Sequence, residues 1–110
     1  MKVPQKQLKK WIKALRSGEY KQSTKRLQTD RGYCCLGVAC KVLIPKEKQL
    51  LHQGRLDGGM PSTQHSAPGW LKEISRNVFL ITGIALIDYN DIYKFKFNEI
   101  ADLLEQLYLE

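Results

Sequence analysis

The chain has 110 residues, of which 43% are hydrophobic, and it carries 18 Lys and Arg against 11 Asp and Glu. This size and composition predict a single globular domain over 1–110, and the longest uncharged apolar run, 78–87, is too short to cross a bilayer. Thirteen of the 18 cations lie in 1–50, so this basic N-terminal half carries about +10 and the rest about −3. Such a split predicts a positive face that attracts polyanions or an acidic partner.

Two features indicate a cytosolic protein. No apolar leader follows Met1, because the chain runs directly into a lysine-rich segment. The three cysteines are odd in number and two of them are adjacent, which favours reduced thiols over a disulfide framework. We therefore expect the protein in the cytosol of a host cell, without a membrane anchor.

The first predicted element is an amphipathic helix over 5–17. Pro4 suits its first turn and Gly18 its C-terminal end. The polar face is basic and has no acidic residue one turn away, although like charges at that spacing mildly destabilise a helix. We therefore expect another requirement to maintain the basic stripe. The apolar positions are Leu8, Trp11, Ile12 and Leu15, and the basic positions are Lys6, Lys9, Lys10, Lys13 and Arg16.

A short strand and a buried helix follow. Residues 25–29 can form a strand, and the turn residues Asp30-Arg31-Gly32 come directly after it. The apolar segment from Tyr33 to Ile44 predicts a buried helix that Pro45 ends. A glycine inside this helix, Gly37, indicates close packing against another element.

A long loop is predicted at 45–68, where glycine, proline and polar residues dominate. A short helix is predicted over 68–74, with Trp70 on its buried face. For 79–87 helix and strand stay open as alternatives, because β-branched residues favour a strand and a helix requires Gly83 to pack tightly.

Turn residues at 88–91 end that run, and an amphipathic helix at 97–109 closes the chain. The expected fold class is therefore α+β: a compact single domain, mostly helical, with a small two- or three-stranded β element and a long central loop.

Three stretches of sequence form a combined motif. On these residues the whole chain resembles a family of small uncharacterised proteins of phages and prophages. The resemblance implies a phage setting and a shared fold, and it implies no chemistry. One departure is Lys96, which stands where those proteins tend to carry Ser or Thr and cannot accept an N-cap hydrogen bond, although Glu99 still lies three residues on. The motif comprises Trp11-x-x-Ala14-Leu15-Arg16-Ser17-Gly18-x-Tyr20-x-Gln22, Tyr33-Cys34-Cys35-Leu36-Gly37-Val38, and Asn90-Asp91 before Phe97-x-Glu99-Ile100-Ala101-Asp102.

No catalytic or metal site is predicted. Cys34, Cys35 and Cys40 lack the spacing of a zinc knuckle, and His52 and His65 lie in the predicted loop without paired spacing. Buried structural thiols are therefore favoured over a zinc site or a cysteine nucleophile. No glycine-rich phosphate fingerprint is present in the sequence. We expect a protein that is not an enzyme and that uses no cofactor.

The basic residues of the first half are the strongest indication of function in the sequence. Hydroxyl and amide groups lie between them and add hydrogen-bond donors, and this mixture suits phosphate oxygens. We expect a phage accessory protein of the anti-defence type that binds nucleic acid or a phosphate-bearing nucleotide, for instance by sequestering a host signalling nucleotide. An inhibitor that docks on an acidic surface of a host protein, and a basic face that binds nothing in particular, remain alternatives. The candidate ligand-binding residues are Lys6, Lys10, Lys13, Arg16, Tyr20, Lys21, Gln22, Lys25, Arg26 and Arg31.

Overall fold

Five helices and one small hairpin make up the described part of a computed structural model of the chain, which covers residues 3–24, 28–29, 32–43 and 69–110. The predicted loop at 45–68, the residues Lys25, Arg26 and Arg31, and both histidines lie outside these ranges. The elements are α1 (Gln5–Arg16), β1 (Gln28–Thr29), β2 (Gly32–Tyr33), α2 (Cys35–Leu43), α3 (Gly69–Thr82), α4 (Leu86–Asp91) and α5 (Phe97–Tyr108).

Helix α1 confirms the first prediction. Pro4 is its N-cap residue, Ser17 its C-cap, and Gly18 leaves the helix with a φ of 78°, a conformation that favours glycine. All four predicted apolar residues are buried, and α1 packs against both α2 and α5. The first and last helices of the chain are therefore packed together. On α5 the buried partners are Phe97, Ile100, Ala101 and Leu104, with Leu107 half-buried.

The β element has two strands among the described residues, within the predicted two or three. Two strands of two residues each pair antiparallel, with Gln28 opposite Tyr33 and Thr29 opposite Gly32. The Tyr33 N–H donates to the carbonyl of Lys21, and the Tyr33 carbonyl accepts from the Ser23 N–H. The backbone of 21–23 therefore also pairs with β2. The described chain is thus mostly helical, and the α+β label overstated its strand content. Because Tyr33 belongs to this hairpin, α2 begins at Cys35, two residues later than predicted.

Helix α3 is longer than predicted, since it continues through the expected break after residue 74 and ends at Thr82. Of the two alternatives for 79–87, helix is found at 79–82 and at 86–87, with a break between α3 and α4 at 83–85. Gly83 has a φ of 85° and terminates α3 instead of packing tightly, and a side chain there would meet open space.

The predicted turn at 88–91 is wrong, because these residues form most of α4. The burial of Asn90, which is only 1% exposed, explains the helical conformation of this polar segment: its amide makes hydrogen bonds in the interior. Across the described ranges, no helix combines the length and apolarity that a bilayer crossing needs.

Candidate functional site

Four lysines form an exposed face of α1: Lys6, Lys9, Lys10 and Lys13, called here the lysine face. At about 100° per residue they lie opposite the buried arc that contains Trp11 and Leu15. Among the described residues no carboxylate forms an ion pair with any of the four. The predicted basic stripe is therefore solvent-accessible along this part of the helix.

Arg16, the last cation of the stripe, is paired. Its Nη2 lies 2.5 Å from Asp102 Oδ1 and its Nη1 lies 3.1 Å from Glu105 Oε2. The hydrogen bonds that Arg16 donates to Glu105 and, next in size, to Asp102 raise the pKa of its guanidinium above its ordinary value. The sequence gives α1 no acidic residue, but the packing of α5 beside it supplies two. Arg16 therefore bridges the two helices and is less available to an external anion.

A groove of about 430 Å³ runs between α1 and the C-terminal end of α5. Ile12 and Leu109 contribute apolar surface, and Lys9 and Lys13 contribute ammonium groups. Arg16, Ser17 and Glu105 complete the lining. The volume falls within the range of about 300–1,000 Å³ that small-molecule sites occupy. The candidate ligand-binding residues predicted from the sequence did not include Lys9. The apolar part of the lining could not be predicted from the sequence around α1, because Leu109 comes from the far end of the chain.

Three further candidates follow α1 and differ in role. Tyr20 is half-buried and packs edge-on against Tyr33, with ring centroids 5.4 Å apart. Burial, and next the charge of Glu19, raise the pKa of its phenol. Lys21 is exposed. Gln22 is occupied inside the fold, so the candidates that the structure describes do not all belong to one exposed surface.

The Gln22 side chain holds the start of α5. Its Nε2 donates to Asn90 Oδ1 at 2.9 Å and to the Phe95 carbonyl at 2.6 Å, and its Oε1 accepts from the Phe97 N–H at 3.1 Å. It thereby satisfies a free N–H at the helix start, which the Lys96 side chain cannot do. Glu99 supplies the other half of the capping box by accepting from the Lys96 N–H at 2.9 Å.

Asn90 is the centre of the same network. Its Oδ1 also accepts from the Cys35 N–H at 3.2 Å, and its Nδ2 donates to the Ser23 carbonyl at 2.9 Å and to Asp91 Oδ1 at 2.7 Å. Several motif residues that are far apart in the chain meet here. The hydrogen bonds of Gln22 and Asn90 consequently connect the hairpin region with α2, α4 and α5, so these motif residues have a structural role.

The cysteines lie in the core, as predicted. All three are buried and unbridged, and Trp11 Nε1 donates to the Cys35 carbonyl at 3.0 Å. Burial raises the pKa of Cys34 and of Cys40 to about 12 and that of Cys35 well above its ordinary value. Such thiols are almost entirely protonated at neutral pH, which disfavours nucleophilic or metal-binding use. No group of three His, Cys, Asp or Glu side chains is placed to hold a metal ion in the ranges that the structure describes.

A second exposed feature is apolar. Phe79, Leu80 and Ile81 in the last turns of α3 are 51–70% exposed, as are Ile92 and Tyr93 after α4, at 63% and 56%. Three successive helical positions turn through about 200°, so the end of α3 is uncovered on more than one side. Large apolar side chains exposed together often mark a contact surface.

Comparison with known proteins identifies a family for this chain, and the description of that family states no activity. No curated protein and no solved structure matches it. A family model described as "Domain of unknown function (DUF8296)" matches residues 1–67, a stretch that includes the lysine face, the hairpin and the buried cysteines. Since the match spans more than half of the sequence, the chain belongs to the DUF8296 family.

Proposed function

We propose that this protein is a non-enzymatic accessory protein that binds an anionic, phosphate-bearing ligand through the lysine face of α1. The observation that supports this proposal is the isolation of four ammonium groups on one helix face, next to a helix whose carboxylates pair with Arg16 instead. Four pairs within the lysine face are three or four residues apart, and each costs the helix about 0.2–0.5 kcal/mol. A bound anion would relieve this repulsion of about 1–2 kcal/mol.

The length of the face suits a phosphate-bearing ligand. Lys6 and Lys13 are separated by about 10 Å along the helix axis, so several ammonium groups can reach neighbouring phosphates of a nucleic acid or the phosphate of a nucleotide. The proposed setting is the cytosol of a host cell, where a phage protein of the anti-defence type would sequester a signalling nucleotide or cover nucleic acid. The motif resemblance to phage and prophage proteins supports that setting.

The test compares two triple variants with the same change in net charge. One is Lys6→Gln, Lys10→Gln and Lys13→Gln on the lysine face, and the control replaces three exposed cations elsewhere. Binding of a 20-base-pair DNA duplex and of adenosine 5′-monophosphate is measured by titration calorimetry over a range of salt concentrations. Both variants should keep the thermal stability of the wild type, because exposed charges contribute little. The control variant is Arg76→Gln, Lys94→Gln and Lys96→Gln.

The lysine-face variant should bind at least about 10-fold more weakly, and the control variant less than about twofold more weakly, because only the first removes groups that touch the ligand. For the duplex, the slope of log affinity against log salt should flatten by about 0.9 for each phosphate that the variant no longer neutralises. Equal effects in the two variants would show that only net charge matters. Wild-type protein that binds neither probe would refute the proposal as well.

The exposed apolar residues favour a second candidate function, an inhibitor that docks on an acidic surface of a host protein. In this case the lysine face would meet acidic side chains while Leu80 and its neighbours contribute buried area. A photo-crosslinking amino acid at position 80 or position 10, introduced in host cells, separates the candidates. One host protein crosslinked from both positions, and no longer crosslinked from position 10 when Lys6 and Lys13 are replaced by Gln, would support docking. Crosslinks to nucleic acid from position 10 alone would support the first proposal.

A further inference from the structure

The groove between α1 and the end of α5 has a charge pattern that fits one class of anion. Three cationic groups line it, from Lys9, Lys13 and Arg16, together with the single carboxylate of Glu105. Arg16 is already paired with Glu105 and Asp102, so Lys9 and Lys13 are the cations left for a ligand. Their formal charge of +2 matches the charge of about −1.5 to −2 on a phosphate monoester at neutral pH. The balance is local, since the adjacent Lys6 and Lys10 do not line the groove.

The remaining lining sets the other part of the ligand. Ile12 and Leu109 supply the apolar part of the lining. A flat ring placed on them would be removed from water, whereas a duplex backbone crossing the lysine face would leave this surface unused. Glu105 is held by Arg16 at 3.1 Å, so its negative charge is largely compensated and its oxygens can still accept hydrogen bonds from hydroxyl or amino groups.

The geometry points to a ring-bearing phosphate monoester of mononucleotide size as the ligand of this groove. The phosphate binds between Lys9 and Lys13, which are four residues apart on one face of α1. The ring lies on Ile12 and Leu109, and donors on the ligand reach Glu105. This inference rests on the proposed anion-binding function and specifies which part of the basic surface is used and for what ligand.

Adenosine 5′-monophosphate and its two fragments test the inference. Adenosine carries the ring without the anion, and inorganic phosphate carries the anion without the ring. Titration calorimetry at a fixed salt concentration should give an affinity for the nucleotide at least about 10-fold above that for either fragment, because the two parts bind in one site. Inorganic phosphate that binds as tightly as the nucleotide would overturn the inference, since the apolar surface would then contribute nothing.

Adjacent residues provide matched controls. Lys9→Gln should weaken nucleotide binding about 10-fold, while Lys10→Gln removes the same charge outside the groove and should weaken it less than about twofold. Leu109→Ser should weaken binding of the nucleotide but not of inorganic phosphate, and Leu80→Ser, a matched apolar truncation elsewhere, should change neither. Equal effects of Lys9→Gln and Lys10→Gln would refute the groove while leaving the lysine face intact as a binding surface. Wild-type protein that binds neither the nucleotide nor a DNA duplex would refute the proposed function itself.

Discussion

Replacing Asn90 by Ala removes four hydrogen bonds from the interior of the described fold. The Cys35 N–H at the start of α2 is buried and would lose its partner on Asn90, which costs about 1–3 kcal/mol. The Gln22 Nε2 keeps its second partner, the Phe95 carbonyl, so its loss is nearer the ordinary net value of about 0.5–1.5 kcal/mol. Together these effects predict that Asn90→Ala lowers the free energy of unfolding by about 2–4 kcal/mol.

Urea denaturation followed by circular dichroism measures this loss as a lower midpoint with an unchanged slope. Asn90→Leu separates hydrogen bonding from volume, because leucine fills the space and makes no hydrogen bonds. It should destabilise the protein about as much as Asn90→Ala. Asn98→Ala, at an exposed position of α5, is the matched control and should stay within about 0.5 kcal/mol of the wild type.

Equal stability of Asn90→Ala and Asn98→Ala would refute the reasoning. The hydrogen bonds of Asn90 would then result from the packing of the helices and would not themselves contribute to the free energy of unfolding. Stability restored by Asn90→Leu would show that filled volume, and not hydrogen bonding, is the contribution of this residue.

Four other outcomes are expected. Trp11→Ala should cost about 3–5 kcal/mol in urea denaturation, because it leaves a cavity in the core; an unchanged melting temperature together with abolished ligand binding would make Trp11 a surface anchor. Gly32→Ala should lower the melting temperature sharply, because a Cβ there would collide with the Lys21 carbonyl at a φ of 151° that alanine rarely adopts; wild-type stability would contradict this placement. The pKa of the Cys40 thiol is about 12 in the folded protein, above its unfolded value, so the contribution of this thiol to stability is complete below about pH 9 and is lost as pH rises towards 12. From pH 8 to 10 the free energy of unfolding should therefore fall by about 1.4 kcal/mol less in Cys40→Ala than in the wild type. Equal falls in the two proteins would refute the raised pKa of Cys40. Arg16→Gln should change the free energy of unfolding by less than about 1 kcal/mol at low salt and by less still at high salt, and a loss of several kcal/mol would show that its ion pairs are more than surface interactions.

The helices that sequence periodicity predicts well are those whose apolar face is continuous. In α1 and α5 the buried residues recur every three or four positions, so the helices could be placed within one residue at either end. The turn residues at 88–91 misled because their composition is typical of turns. Their helix depends on Asn90 partners at least 55 residues away in sequence, which no local pattern contains.

The same limit applies to the site. Exposure of the lysine face follows from its position opposite the apolar stripe and could be predicted. The pairing of Arg16 could not, because Asp102 lies 86 residues further along the chain. The structural role of Gln22 was equally hidden, since its partners are the start of α5 and a residue of α4. Long-range packing therefore decides which polar residues of the motif remain available to a ligand.

The Gln5 side chain fastens the two ends of the described chain together. Its Nε2 donates to the Tyr108 carbonyl at 3.0 Å and its Oε1 accepts from the Glu110 N–H at 2.9 Å. A segment fused after residue 110 would therefore begin one residue from Leu109, which lines the groove. An acidic purification tag at this end would compete with an anionic ligand for the lysines of the groove. Affinities measured before the tag is cleaved would describe the tag as much as the protein.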